Sequence, residues 1–152
     1  MRIFPALTDL AAAKGSEIGA SKWRLIDQAR IDSFANVTGD HQWIHTDPER
    51  TRSELSMPTI AHGFLTLSMV PVFMADIFCV TSAKRIINYG ANKIRFTNMV
   101  PVNSRIRGKM FLKRASLGKG TLRTISEITV EIEGAAKPAL VAEMITLWFE
   151  QD

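Results

Sequence analysis

The sequence predicts an α+β fold, with helices in its first half and antiparallel strands in its second half. At 152 residues the chain is long enough for one domain with its own core. From His62 to about Val80 it is apolar on every side of a helix, which is typical of a helix enclosed by other elements. Strand-like segments follow, so we expect residues 1–152 to form a single domain in which an antiparallel sheet covers one helix.

Capping and turn residues divide the first half of the chain. The first fifteen residues predict a short helix, and "SKWRLID" alternates apolar and polar residues like a short strand. The segment "DQARIDSFANVTG" predicts a helix that Asp27 caps and Gly39 ends. Asp47 followed by Pro48 predicts the start of another helix. His45 is therefore expected in an accessible linker between two helices.

The second half reads as a series of strands. "KRIINYG" and "NKIRFT" come first, and "ALVAEMITLWFEQ" comes last. Between them, "SRIRGKMFLKRAS" and "TLRTISEITVEIE" flank the short "LGKG" segment, which predicts a β-hairpin.

The charge of the chain is unevenly distributed. Its net charge is +4, and no acidic residue occurs between Asp76 and Glu127. The same interval holds eleven basic residues: Lys84, Arg85, Lys93, Arg95, Arg105, Arg107, Lys109, Lys113, Arg114, Lys119 and Arg123. We expect most of them on outward strand positions, with two or three available to a small phosphorylated ligand. Interleaved exposed aromatic residues are lacking, so no nucleic-acid partner is expected.

The single cysteine and the apolar segment bear on the cellular compartment. Cys79 lies among apolar residues, which predicts a buried free thiol and a reducing, cytoplasmic environment. The N-terminal segment does not resemble a signal peptide. Pro71 and Asp76 interrupt the apolar segment, whose uninterrupted part is too short for a membrane span, so no membrane association is expected.

Two residues in "VTGDHQWIHTDPER" suggest acid–base chemistry. Asp40 and His45 are five residues apart across a turn, so a carboxylate and an imidazole can face one cleft. Together they can position and activate a water molecule. The sequence has no G-x-S-x-G elbow, so a nucleophilic serine is not expected.

A metal site is not expected from the same segment. His41, His45 and Asp47 could be read as ligands, but Gly39 and Pro48 prevent one continuous helix through both histidines, and a further ligand at typical spacing is lacking. We therefore interpret His41 as a surface residue. His62, the third histidine, is interpreted as capping or packing at a helix start.

The segment "PTIAHGF" supplies a possible oxyanion-binding group. Gly63 begins the apolar helix and has no Cβ, so a ligand can approach its backbone closely. Its N–H would lie at the positive end of the helix, where negative charge is stabilised. The same glycine is also explained by close packing alone.

These motifs resemble a known family. "FANVTGDHQWIHTDPE" followed by "PTIAHGF" resembles the MaoC-like (R)-specific enoyl-CoA hydratases, which have a hot-dog fold. "INYGANKIRF" and "VPVNSRIRG" are similar to a short, single-domain subgroup that includes nodulation protein N-like proteins. The resemblance implies a long central helix wrapped by a curved antiparallel sheet, and a homodimer whose sheets join.

The resemblance also implies an activity and a site. The substrate would be a trans-2-enoyl-CoA thioester, hydrated to the (R)-3-hydroxyacyl thioester without a metal or cofactor. Asp40 and His45 match the catalytic aspartate and histidine, and Gly63 matches the backbone donor to the thioester oxygen. Four further residues are candidates for contact with the substrate: Gln42, Tyr89, Asn92 and Arg95.

The chain departs from the family pattern near the aspartate. Gln42 stands where many relatives have asparagine, and Pro71 stands where some relatives have a serine beside the catalytic aspartate. We therefore expect Ser68 or Thr66 to hold Asp40 instead. Two alternatives to hydration remain open, because one architecture hosts several activities: an acyl-CoA thioesterase and a non-catalytic acyl-thioester-binding protein.

Overall fold

A computed structural model describes residues 1–150. In order, its elements are β1 Arg2–Phe4, α1 Leu7–Ala12, β2 Ser16–Ala20, β3 Arg24–Ile26, α2 Gln28–Thr38, α3 Trp43–Thr46, α4 Pro48–Leu55, α5 Gly63–Ser68, α6 Val70–Ile77, β4 Phe78–Val80, β5 Arg85–Phe96, β6 Ser104–Gly118, β7 Thr121–Ile132 and β8 Leu140–Phe149. The predicted α+β class is confirmed. None of these helices is long and apolar enough to cross a membrane.

The main sheet has six antiparallel strands in the order β2-β6-β7-β8-β5, and β3 also pairs with β6. The predicted hairpin is confirmed by pairing of β6 with β7, in which Gly118 lies opposite Thr121. The segments "KRIINYG" and "NKIRFT" form one strand, β5, rather than two. Irregularities in its pairing with β8 interrupt the alternation that a single strand would show in the sequence.

The apolar helix is present, but it is divided. The α5 and α6 segments follow one another with a turn at Met69, and the chain then becomes strand β4 instead of continuing as helix to Val80. Pro71 accounts for the division, because proline lacks the N–H that a helix interior requires. Most apolar side chains of α5 and α6 belong to the same buried core as those of the sheet, whereas Phe64 and Val72 are exposed.

Two expectations, one for the first fifteen residues and one for Cys79, are wrong. The first fifteen residues are not one helix, since Arg2–Phe4 forms strand β1, which pairs with β4 in a small parallel sheet. Cys79 lies on β4 and is exposed, because its strand neighbours Phe78 and Val80 point into the core and Cys79 points the other way.

Ion pairs account for much of the basic segment. On the outward face of the sheet, Arg107 and Lys109 both bind Glu131, at 2.7 and 2.9 Å. Lys113 lies 2.6 Å from Glu143. The expected outward placement on strands is therefore observed for these residues, and cross-strand glutamates neutralise them.

Close contact between α6 and β6 depends on a glycine. A Cβ atom on Gly108 would lie 2.8 Å from the Cβ of Phe73, closer than real Cβ atoms approach. Phe73 is 1% exposed, so its ring cannot move out into solvent. The sheet approaches the helix this closely because Gly108 has no side chain.

We predict that Gly108→Ala destabilises the fold by about 1–3 kcal/mol, the usual effect of overpacking a core. Denaturant unfolding followed by circular dichroism measures the change. Gly90→Ala is the matched control, because a Cβ on that strand residue meets no atom within 4 Å. Equal losses for the two variants would contradict this account of the packing.

Candidate active site

Asp40 lies just after the end of α2. Asp27 caps the start of this helix by accepting a hydrogen bond from the Arg30 amide at 2.9 Å, and Gly39 ends it with φ of 77°, as predicted. Asp40 is exposed. Its carboxylate accepts a long hydrogen bond of 3.4 Å from the Gln42 amide, so this contact constrains the side chain weakly.

His45 lies in the single helical turn α3, and it is buried rather than accessible, contrary to the sequence expectation. The side chain of His45 points toward the backbone of Ile60, and His45 is 7% exposed. The ring Nδ1 lies 2.7 Å from the carbonyl oxygen of Ile60. A carbonyl only accepts, so Nδ1 carries the hydrogen and Nε2 is left as the acceptor.

Burial lowers the pKa of His45 below its ordinary value of 6.5. The hydrogen bond to the Ile60 carbonyl opposes this effect, nearby His62 adds to it, and Asp40 opposes it. The net direction is downward. At pH 7 the ring is therefore neutral, with an unprotonated Nε2 that can accept a proton.

His62 joins the two predicted residues. Its Nε2 lies 2.9 Å from the backbone carbonyl oxygen of Asp40, and its ring stacks on that of His45 with centroids 3.8 Å apart. His62 immediately precedes α5 and is 2% exposed. It therefore packs at a helix start, as the sequence suggested, and it also contacts both acid–base candidates.

Among residues 1–150, Asp40, His45 and His62 form the group whose side chains could meet at a metal ion. Each offers one ligand atom, and these atoms lie within 4.8 Å of one another. His41 and Asp47, considered with His45 in the sequence, are not in this group. The planes of the two stacked rings differ by 26°. One nitrogen of each ring already faces a backbone carbonyl oxygen, Nδ1 of His45 that of Ile60 and Nε2 of His62 that of Asp40, so each ring keeps one nitrogen for other chemistry.

Gly63 lines the same cavity as His45. The cavity has a volume of about 330 Å³, and its walls include His45, Gly63, Thr66, Phe96, Asn98 and Met99. A Cβ on Gly63 would lie 3.0 Å from the Phe96 ring, so the absence of a side chain lets this ring cover the helix start. His45 and the glycine at the helix start thus line one largely apolar space.

The other predicted contact residues lie outside this cavity. Gln42 precedes α3 and is exposed, and its backbone N–H donates to the Asp40 carboxylate. Tyr89, Asn92 and Arg95 are exposed on β5, the strand that supplies Phe96 to the cavity wall. The structure therefore places Asp40 near His45, and His45 and Gly63 on one cavity, but it leaves three of the four contact candidates along one strand.

Neither residue expected to hold Asp40 does so. The Ser68 hydroxyl donates to the carbonyl oxygen of Phe64 at 2.7 Å, and the Thr66 hydroxyl donates to that of His62 at 3.4 Å. Both hydroxyls are used inside their own helix. Instead, the imidazole of His62 contacts the backbone carbonyl oxygen of Asp40, and the carboxylate has the long hydrogen bond from the Gln42 backbone amide.

Sequence reasoning missed two neighbours of the site. His62 was read as structural, although its place beside Gly63 was a signal that it lies near the reactive groups. Phe96 ends the quoted "INYGANKIRF" motif, but only the fold shows that its ring reaches the start of α5.

Comparisons with known proteins identify the family of this chain. The MaoC like domain matches residues 9–133. The chain is 49% identical to 3-hydroxyacyl-thioester dehydratase Z of Mycobacterium tuberculosis over 146 residues, which cover 95% of this chain and 97% of the relative. It is 41% identical to nodulation protein N of Rhizobium leguminosarum bv. viciae over 145 residues, covering 93% and 90%.

A solved structure shows the same fold. The R-hydratase PhaJ1 from Pseudomonas aeruginosa superposes with a TM-score of 0.70 at 20% identity, covering 91% of this chain and 83% of the other. The central helix and curved sheet form a hot-dog fold, and together with the relatives they define an enzyme of the hydro-lyase class. Within that class, the chain belongs to the MaoC-like domain family.

We predict that the His45 ring titrates below pH 6.5 in the folded protein, because burial disfavours its charged form. The measurement is a pH titration of the ring resonances by NMR, assigned by comparison with His45→Gln. The same ring in the urea-unfolded chain is the reference and should titrate at about 6.5. A folded value at or above that of the unfolded chain would contradict the burial argument.

Proposed function

We propose that this protein hydrates a trans-2-enoyl-CoA thioester to the (R)-3-hydroxyacyl-CoA thioester, and catalyses the reverse dehydration. One observation carries the proposal. A carboxylate oxygen of Asp40 lies within 4.8 Å of a ring nitrogen of His45, and His45 and Gly63 line the same cavity. The similarity to a 3-hydroxyacyl-thioester dehydratase supports the same chemistry.

His45 and Asp40 act on one water molecule in this mechanism. The neutral His45 Nε2 accepts a proton from water as the water oxygen bonds to C3 of the enoyl group. Asp40 orients the water. The electrons of the C2–C3 double bond move toward the thioester, and a proton held by the Asp40–His45 pair then bonds to C2. The net change is the addition of one water molecule.

Gly63 acts on the thioester oxygen. As the C2–C3 double bond opens, negative charge develops on this oxygen, and the Gly63 N–H donates a hydrogen bond to it. Both Gly63 and His45 line the cavity, so an acyl thioester lying there can meet both groups. The apolar parts of the wall, including Phe96 and Met99, suit an acyl chain.

In this proposal the coenzyme portion of the substrate lies on the exposed polar surface of β5, next to the cavity. Tyr89, Asn92 and Arg95 lie on β5, whose last residue Phe96 reaches the cavity. Arg95 can pair with a phosphate, and Gln42 lies beside Asp40 at the other side of the site.

A homodimer through β5 completes the proposal. This strand is an edge of the six-stranded sheet, and its outer side has no strand partner within residues 1–150. Ile86, Ile87 and Tyr89 on it are 54%, 41% and 64% exposed. A long edge with exposed apolar side chains is a pairing surface, and a second copy would extend the sheet across it.

We predict that Asp40→Asn and His45→Gln each lower kcat for hydration by about 10²-fold or more, the usual contribution of a general acid or base. Loss of the enoyl-thioester absorbance with crotonyl-CoA and longer substrates measures the rate. His41→Gln is the matched control, because His41 is exposed and its side chain lies outside the Asp40–His45–His62 group. Unchanged turnover in the first two variants would remove the assigned mechanism.

The same assay separates hydration from the alternatives. A hydratase consumes the enoyl thioester without releasing free thiol, whereas a thioesterase releases free coenzyme A from saturated acyl-CoA. Binding of a CoA ester without any product would indicate a non-catalytic binder.

We predict that the double variant Ile87→Lys, Tyr89→Lys disrupts the dimer, because repelling charges on an edge strand oppose pairing. Light scattering coupled to size-exclusion chromatography gives the mass. Leu117→Lys is the control, since Leu117 is 53% exposed on β6, which lies inside the sheet. A monomeric wild-type protein would contradict the dimer.

A further inference from the structure

His62 contacts both catalytic candidates through different parts of one ring. Its Nε2 edge lies 2.9 Å from the Asp40 carbonyl oxygen, and its face lies against His45 with centroids 3.8 Å apart. Phe34 of α2 packs on the ring at a centroid distance of 5.0 Å. The ring is therefore enclosed on several sides, and a change in its position would be felt by Asp40 and His45 together.

The hydrogen bond to Asp40 determines where the His62 ring carries its hydrogen. The carbonyl oxygen only accepts, so Nε2 is the donor. In the neutral ring Nδ1 is then an acceptor, and this atom is buried without a hydrogen-bond partner within residues 1–150. An unpartnered buried nitrogen disfavours folding. Simple packing does not require it, because a phenyl ring would fill the same space without the unpartnered atom.

The contact matters because Asp40 has few other short bonds. Its amide donates to the Thr38 hydroxyl at 3.4 Å, and its carboxylate accepts from the Gln42 amide at 3.4 Å. The bond from His62, at 2.9 Å, is shorter than either of them. The placement of this exposed carboxylate thus depends on a backbone that His62 holds.

We propose that His62 is a positioning residue that holds Asp40 and His45 in register with the amide of Gly63. Its edge fixes the backbone of Asp40, its face limits rotation of the His45 ring, and its own carbonyl carbon is bonded to the Gly63 nitrogen. This role rests on the proposed hydration chemistry. One buried side chain thereby links the segment that carries Asp40 and His45 to the helix start at Gly63.

The electrostatic surroundings of His45 agree with this role. Burial lowers the pKa of the His45 ring most strongly, and His62 lowers it further, while the Ile60 carbonyl and Asp40 raise it. The polar group that α2 directs at this turn is Gln28, whose side-chain amide donates to the His45 carbonyl oxygen at 2.8 Å. Removing the His62 imidazole should therefore raise the pKa of His45.

Two variants separate positioning from packing. His62→Phe keeps a flat ring of similar size but loses the donor to Asp40, whereas His62→Gln keeps an N–H donor at a similar reach but loses the ring face. A packing role predicts that phenylalanine is tolerated better. The positioning role predicts that His62→Phe lowers kcat about 10–100-fold with little change in KM, that His62→Gln retains more of kcat, and that the acid limb of the kcat profile moves to higher pH in His62→Phe.

The result that overturns the proposal is a His62→Phe enzyme with the kcat and pH profile of the wild type. Melting temperatures of both variants accompany the kinetics, because a fall in kcat that only follows loss of stability would also overturn it. His41→Gln serves as the control for loss of a histidine outside the site.

A spectroscopic measurement tests the geometry without relying on activity. Long-range ¹H–¹⁵N spectra of the wild-type protein should show His62 with its hydrogen on Nε2, and His62→Phe should shift the Asp40 carbonyl and His45 ring resonances. Hydrogen on Nδ1 of His62 would overturn the inference whatever the kinetics show. If His45→Gln leaves hydration unchanged while these spectra appear as expected, the proposed function fails and the contacts of His62 stand.

Discussion

The packing of Phe73 on Gly108 sets how close the central helix lies to the sheet, and the site depends on that distance. A Cβ on Gly108 would come within 2.8 Å of the Phe73 Cβ, so the contact admits no side chain between helix and strand. Gly63, at the other end of the same helical region, is covered by Phe96 in a comparable way, at 3.0 Å from a notional Cβ. Two glycines therefore let the helix approach both the middle of the sheet and its edge strand.

Backbone carbonyls, rather than carboxylates, fix the side chains around the site. The Ile60 carbonyl selects the protonated nitrogen of His45, and the Asp40 carbonyl accepts from His62. Gln28 donates to the His45 carbonyl. Main-chain acceptors carry no net charge, so they can orient an imidazole in a buried place while Asp40 remains the acidic group of the cluster. The Ile60 carbonyl thus fixes the ring of His45, while burial keeps that ring neutral.

Local signals in the sequence predicted much of the fold. Asp27, Gly39 and Pro48 act within one or two turns of chain, and the helix ends they mark are observed. The exposure of Cys79 and the burial of His45 could not be predicted in the same way, because each depends on which face of a short element meets the core. The contact between His62 and Asp40 joins residues that are 22 positions apart in the chain. No local pattern around either residue predicts that the two will meet.

The glutamates across the outer face of the sheet have an effect beyond stability. Arg107, Lys109 and Lys113 are already neutralised by them, whereas Arg85 and Arg95 on β5 have no ion pair within residues 1–150. These two cations leave positive charge on the edge strand of the sheet, in addition to that of other basic residues among residues 1–150 that form no ion pair. A diffusing polyanion would be attracted to such a strand, and the attraction would weaken as added salt shortens the Debye length.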